Sequence, residues 1–311
     1  MNILVTGGAG FIGSHLCDSL LADGHTVTAV DNLILGRKEN IAHLKNNKKF
    51  IFIKQDLLKL KSLESIFSKS SFDIVFHMAA NSDIQKGGVN PTVDYELTFM
   101  TTFNVLQCMK KLGVKKLVFA STSAIYGETS EVLTENFGPL QPVSNYGASK
   151  LACEAFISAF SATYGIQTWI TRFPNVVGER FTHGVIYDFV KKLKKNPNEL
   201  EVLGNGEQFK PYMYVKDLVE GILFVWKNCT DRFNVYNLGV ESRTKVKDIA
   251  AMVIEEMGLT AKIRYTGGDR GWVGDVPEFK YDLSKVAGLG WKAKRSSNDA
   301  VRLAIQRALG K

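Results

Sequence analysis

The first half of the chain alternates short β-branched apolar runs with longer stretches of helical periodicity. ILVTG leads into a helix over about residues 10–23, and TVTAVD at 26–31 forms a second strand. KFIFIKQD ends at Asp56, a short helix spans about 60–69, and DIVFHMAA occupies 73–80. A long helix over about 90–112 then precedes KKLVFASTS at 115–123. Strands and helices in this alternation predict an α/β protein with a mostly parallel, doubly wound sheet covered on both faces. Right-handed crossovers stack the strand C-termini along one edge. Each strand runs there into polar or small residues (TGG, DN, QD, HMAA, STS), at the edge where open α/β sheets bind ligands.

The second half is less regular. LACEAFISAFSATYG, after Ser149, predicts a helix, and QTWITRFPNVVG a strand and loop. Further helices are expected over about 184–195, 216–226 and 244–257, with short strands at EVLG and YNLGV and a tail rich in Gly, Asp and Arg. This pattern predicts a first domain over 1–174 and a smaller mixed α/β domain over 175–311, with some interleaving of segments. No tandem repeat or low-complexity segment stands out.

Composition narrows the class. The 311 residues are 45% hydrophobic and 23% charged, as in ordinary globular proteins. No apolar run is long enough for a membrane span, and the first residues do not read as a signal peptide. Cys17, Cys108, Cys153 and Cys229 lie far apart in apolar stretches, so buried free thiols in a reducing cytoplasm are expected, with no zinc signature. The net charge of +8 is dispersed. It predicts a solvated face that helps attract a small anionic substrate, and no nucleic-acid surface.

Gly7, Gly10 and Gly13 form G-x-x-G-x-x-G between a strand and a helix, and Asp31 ends the next strand. Gly7 permits a tight turn, Gly10 a close approach of backbone to pyrophosphate, and Gly13 close packing of the helix, whose N–H groups face the phosphates. Asp31 is placed to accept from both adenosine ribose hydroxyls, which favours NAD over NADP, although Arg37 lies near. A P-loop is excluded because the Gly-Lys-Ser/Thr ending is absent. Asp56 is placed either to reach the adenine or to cap the following helix.

STSAIYG puts Thr122 at a strand end, and SNYGASK supplies Tyr146 and Lys150 at Y-x-x-x-K spacing. If Tyr146 begins a helix, Lys150 lies one turn on, on the same face. A neighbouring ammonium favours the phenolate, drawing the tyrosine towards working pH. Lys150 can also hold the nicotinamide ribose. Thr122 can bond a substrate hydroxyl while Tyr146 takes its proton and hydride leaves the same carbon.

With these motifs in place, the chain resembles the extended short-chain dehydrogenase/reductase superfamily. It is most similar to NAD-dependent epimerase/dehydratase proteins of the UDP-glucose 4-epimerase type. The resemblance covers nearly the full length, through TGGAGFIGSHL, Asp31-Asn32, HMAA, STSAIYG, YGASK, RFPNVVG, KPYMYVKD and DLSK. It implies a Rossmann-type domain, a C-terminal domain that holds a UDP- or GDP-linked sugar, and a homodimer with a shared helical bundle. By the same resemblance Gly7, Gly10, Phe11, Ile12 and Gly13 bind the NAD pyrophosphate region, and Asp31 and Asn32 its adenosine half. Asp56 and Leu57 flank the adenine, Ala79 and Ala80 line the cofactor cleft, and His77 is structural. Thr122, Tyr146 and Lys150 are the reactive group; Asn175, Lys210 and Arg270 face the substrate phosphates.

Departures from the family pattern bear on the reaction. The Asp-Glu pair that follows the reactive threonine in sugar dehydratases is replaced by Ser123 and Ala124, which argues against 4,6-dehydration. The N-V-x-G-T segment reads T-F-M-T-T from Thr98 to Thr102, altering the expected wall beside nicotinamide and substrate. Lys210 stands where arginine is commoner, and the R-P-G-D motif becomes Arg270-Gly-Trp-Val-Gly-Asp275. Tyr187 replaces a frequent proline, and Trp272 is available either to stack on a nucleobase or to pack in the core. The leading expectation is a 4-epimerase acting through a transient 4-keto sugar. The alternatives are a net 4-dehydrogenase, for instance of a GDP-heptose, and, from another class, a non-catalytic NAD-binding sensor or interaction protein.

Overall fold

Seven parallel strands position everything that follows. The computed structural model describes residues 1–272 and 274–311. β1 (Asn2–Thr6), β2 (Thr26–Asp31), β3 (Phe50–Lys54), β4 (Ile74–His77), β5 (Lys116–Thr122) and β6 (Gln167–Phe173) come from the first half. Later come β7 (Asn175–Val177), β8 (Glu199–Val202), β9 (Tyr212–Tyr214), β10 (Phe233–Asn237) and β11 (Lys262–Tyr265). The main sheet has the order β10-β6-β5-β4-β1-β2-β3, a Rossmann-type arrangement extended by one strand, and every neighbouring pair is parallel. Ile3, Leu4 and Val5 are wholly buried, as expected of a central strand packed on both faces.

The helices are α1 (Phe11–Ala22), α2 (Leu60–Lys69), α3 (Thr101–Leu112), α4 (Asn145–Tyr164), α5 (Val185–Lys195), α6 (Val215–Asn228), α7 (Val246–Glu256) and α8 (Ser297–Ala308). One hydrophobic core contains Leu16, Phe76 and Ile222, and a second contains Leu63, Leu106 and Ile157. A third, with Phe189, Leu200 and Ile305, holds the later elements together. The chain beyond residue 174 does not stay apart from the sheet, since α6 packs near α1 and β10 pairs with β6.

Several boundaries differ from the sequence pattern for local reasons. The long helix over 90–112 is interrupted: Pro91–Asp94 is α-helical, Tyr95–Met100 forms a π-helical turn, and α3 follows. α4 starts at Asn145 rather than after Ser149, because the Ser144 hydroxyl accepts from Gly147 N–H at 3.1 Å and caps it. Asp56 does not cap α2, whose N-cap is Lys59; its Oδ1 accepts from Leu58 N–H at 2.9 Å in a local turn. The tail holds a helix the pattern missed: Ser296 caps α8, and Val301, Ala304 and Ile305 bury its apolar face. All four cysteines are free and buried. Among the described residues, no helix is long and apolar enough to cross a membrane.

Candidate active site

The glycine loop joins β1 to α1 at the C-terminal edge of the sheet. Gly7 has φ +68°, and a Cβ there would lie 2.8 Å from Ala79 N. A Cβ at Gly13 would stand 2.1 Å from the Gly7 carbonyl oxygen, so the start of α1 presses directly on the loop. Gly10 is the N-cap and offers no side-chain cap, and no acidic residue occupies the first turn. The leading N–H groups of α1, at Phe11, Ile12 and Gly13, thus lack a side-chain acceptor at the positive end of the helix dipole, which suits an anion. At the end of β2 the Asp31 carboxylate accepts from Ala9 N–H at 3.1 Å and Leu33 N–H at 2.8 Å. Burial raises its pKa, while these backbone bonds act in the opposite direction.

A cleft of about 900 Å³ runs from this loop into the second half of the chain. Gly7, Gly10, Phe11, Ile12, Gly13, Asp31, Asn32, Leu57, Ala79 and Ala80 all line it. Asp56 does not, its carboxylate being held in the local turn on Leu58 N–H. Gln55 and Leu57 take the cleft side instead.

Further along the same edge, β5 ends on Thr122 and α4 brings Tyr146 and Lys150 to it. Thr122, Tyr146 and Lys150 all line the cleft. The Lys150 ammonium donates to the Ala120 carbonyl at 2.6 Å and lies 4.6 Å above the Phe119 ring. Burial pushes Tyr146 up to about 12 and Lys150 down to about 8. The expected lowering of Tyr146 by Lys150 is therefore overridden here: desolvation of the phenol dominates, and the ammonium is turned to the strand carbonyl.

Two buried groups stand behind these residues. His77 is wholly enclosed, with Nδ1 at 2.6 Å from Thr6 Oγ1 and Nε2 at 2.9 Å from Thr102 Oγ1. Desolvation lowers its pKa to about 3, so it is a neutral structural ring outside the cleft lining. Sequence reasoning missed the second group. Glu154, one turn beyond Lys150, accepts from the Ser121 hydroxyl and from Arg172, with Nη2 at 2.7 Å. Arg172 also donates to the Tyr126 hydroxyl at 3.0 Å, which in turn donates to Asn237 Oδ1 at 2.7 Å. The pair ties α4, β5, β6 and β10 together directly beneath Thr122.

The far end of the cleft is built by later segments. Asn175 and Lys210 line it, and Asn175 stands opposite Tyr212 in the strand register. Lys210 is bonded to Asp275 and lies 5.2 Å from the Trp272 ring centre. Trp272 lines the cleft and is partly exposed rather than packed in the core. Arg270 does not line it: both Glu128 oxygens accept from its Nη2, at 2.9 and 3.0 Å. Val273, within the same motif, lies outside the described residues. Thr98 is fully buried and accepts from Asn81 N–H at 3.1 Å, whereas Leu97 and Thr101 face the cleft. The altered wall is thus formed by the neighbours of Thr98. Lys191, Lys192 and Lys195 of α5 also line the cleft.

Residues 3–239 match the model of the NAD dependent epimerase/dehydratase family. The chain belongs to that family. A putative UDP-glucose 4-epimerase of Methanocaldococcus jannaschii is 33% identical over 310 residues, covering 97% of each chain. The crystal structure of a UDP-galactose 4-epimerase is 38% identical with a TM-score of 0.89, covering 100% of this chain and 99% of that one. The UDP-glucose 4-epimerase of Thermus thermophilus, crystallised with NAD, is 30% identical with a TM-score of 0.89 over the same shares. Members of this epimerase/dehydratase family are NAD-dependent enzymes, and NAD is the cofactor of this one.

Proposed function

We propose that the protein oxidises C4 of a UDP-linked sugar and returns it as the C4 epimer. The observation that carries this reading is the meeting of Thr122, Tyr146 and Lys150 on one cleft with the uncapped glycine loop. NAD fits the residues present. The free N–H groups of α1 suit its pyrophosphate, and the Asp31 carboxylate suits its adenosine ribose, with Asn32, Leu57, Ala79 and Ala80 along the same wall. Bound there, NAD supplies the hydride acceptor and donor.

The chain's own residues handle the proton and the orientation. The Thr122 hydroxyl holds the substrate C4 hydroxyl, and Tyr146 takes its proton as hydride leaves C4. Lys150 steadies the nicotinamide ribose and favours the phenolate once turned from Ala120. The resulting 4-keto sugar turns within the cleft, and Tyr146 returns the proton after hydride reaches the other face. Asn175 and Lys210 sit where they would hold the diphosphate through this turn, and Arg270 joins them by leaving Glu128. Ser123 and Ala124 provide no acid or base for removing water across C5 and C6.

The aromatic face of the π-helical turn, α3 and α4 supports a homodimer. Phe156 is 40% exposed and meets Phe99 at 5.2 Å and Phe103 at 5.5 Å between ring centres, beside the 53% exposed Tyr95. An apolar stripe on two adjacent helices suits a second copy of itself.

A panel of UDP-, GDP-, CDP- and dTDP-sugars tests the reading. An epimer formed with no net NADH supports it. A released 4-keto product with reduced cofactor replaces it with the net dehydrogenase. Neither an epimer, nor a 4-keto product, nor transient enzyme-bound NADH with any of the sugars sinks both.

A further inference from the structure

A second cavity, of about 330 Å³, opens beside the cleft among the loop after β7, α5 and the end of α8. Cations converge on it from all three elements: Arg180, Lys191 and Lys194, and Arg307. Glu179 is the one carboxylate on its wall among the described residues. That carboxylate is already engaged, accepting from the Tyr214 hydroxyl at 2.6 Å and from Lys216 at 2.7 Å, and its pKa is held down at about 2.

The cations are far less satisfied. Among the described residues Lys191 and Lys194 form no ion pair, and the Arg307 guanidinium donates only to the Lys311 carbonyl, at 3.2 Å. Arg180 gives Nη1 to Asp18 at 2.8 Å and keeps the rest of its fork. Like charges gathered this way repel one another, and an anion between them would relieve that repulsion. Two guanidiniums and two ammoniums match the several oxygens of a phosphate better than a single carboxylate.

The wall towards the cleft is made of two rings and Lys191, which lines both cavities. Phe181 and Tyr187, whose centres are 6.1 Å apart, line both cavities. Phe181 also meets Phe11, the first residue of α1, at 6.3 Å, and the Glu179 carbonyl lies 3.1 Å from His15 Nε2 on the same helix. This loop therefore touches the glycine-loop helix and the substrate side together.

We propose that this cavity is a second binding site, for a small phosphate-bearing metabolite, whose occupancy is felt in the cleft through Phe181 and Tyr187. Because a diphosphate also suits the cleft, the test fills the cleft first. With NAD and UDP saturating, calorimetric titration with inorganic pyrophosphate is expected to show one further equivalent. Lys194→Ala combined with Arg307→Ala, neither residue lining the cleft, is expected to weaken that step by about tenfold or more. The thermal midpoint, bound NAD and UDP affinity of the variant stay unchanged. By reciprocity, pyrophosphate shifts UDP affinity in the wild type and not in the variant.

No further equivalent, equal binding by the variant, or a heat that sodium chloride abolishes alike in both proteins overturns the site. Binding that leaves UDP affinity unmoved overturns the coupling. Failure of UDP itself to bind counts against the reading of the cleft, and the pyrophosphate equivalents are then counted with NAD alone.

Discussion

At the residue scale, the proposed chemistry depends on a phenol that burial makes a reluctant acid. Tyr146 stands at about 12 while Lys150 has fallen to about 8, so the base form becomes commoner as pH rises and the ammonium beside it becomes rarer. The rate of NADH formation in a single turnover should therefore climb through neutral pH and level off near the lysine's titration. Tyr146→Phe should cut that rate by about 10²–10⁴-fold while leaving bound NAD unchanged, measured by absorbance and by released nucleotide. Loss of the nucleotide together with the rate would show that the hydroxyl serves binding instead.

His77 makes a separate demand at the same scale. Its folded pKa of about 3 lies below the ordinary histidine value near 6.5, so the unfolded chain takes up the proton first. The stabilisation is complete above that ordinary value and is lost as pH falls through the window towards the folded pKa. The slope is about 1.4 kcal/mol per pH unit inside it. Urea midpoints measured across the window should fall with acidification, and more gently in His77→Gln. An identical slope in the two proteins would assign the acid sensitivity to other groups.

Among elements, the Glu154–Arg172 pair joins α4 to the strands that carry Thr122. Glu154→Gln leaves a buried guanidinium uncompensated and should cost about 3–5 kcal/mol in denaturant unfolding. Replacing both members with apolar residues of similar volume should recover much of that loss. The glycine loop, Asp31 and the Thr122, Tyr146 and Lys150 set were legible because each rests on local spacing at a strand end. The buried pair was not, because Ser121, Glu154 and Arg172 meet only through strand register, with Ser121 opposite Arg172. Asp56 lies off the cleft because its carboxylate closes a local turn on Leu58 N–H, which residue spacing alone does not reveal. The π-helical turn escaped for a related reason: its apolar pattern continues that of the flanking helix, and only packing shows the extra residue.

On the scale of the whole molecule, the proposed dimer contact falls on α3 and α4. Tyr146 and Lys150, the proposed reactive pair, share α4 with Phe156, so a dimer through the aromatic face would brace the helix that holds them. Phe156→Glu should yield a monomer in sedimentation velocity and lower the thermal midpoint, since the glutamate would be desolvated in the joint. A sedimentation coefficient unchanged by the substitution would place the contact elsewhere.

The return of β10 to the sheet also sets a timetable for biosynthesis. β6 leaves the ribosome well before residues 233–237, yet it lacks its outer neighbour until they emerge. α6, which packs near α1, is likewise made late. A nascent chain stalled after β6 carries the glycine loop and the tyrosine–lysine pair but leaves Trp169 and Ile170 on an open sheet margin. Such a margin invites pairing with other chains. Synthesis of the second half is thus also a period of exposure, which ends when the segment 215–237 docks.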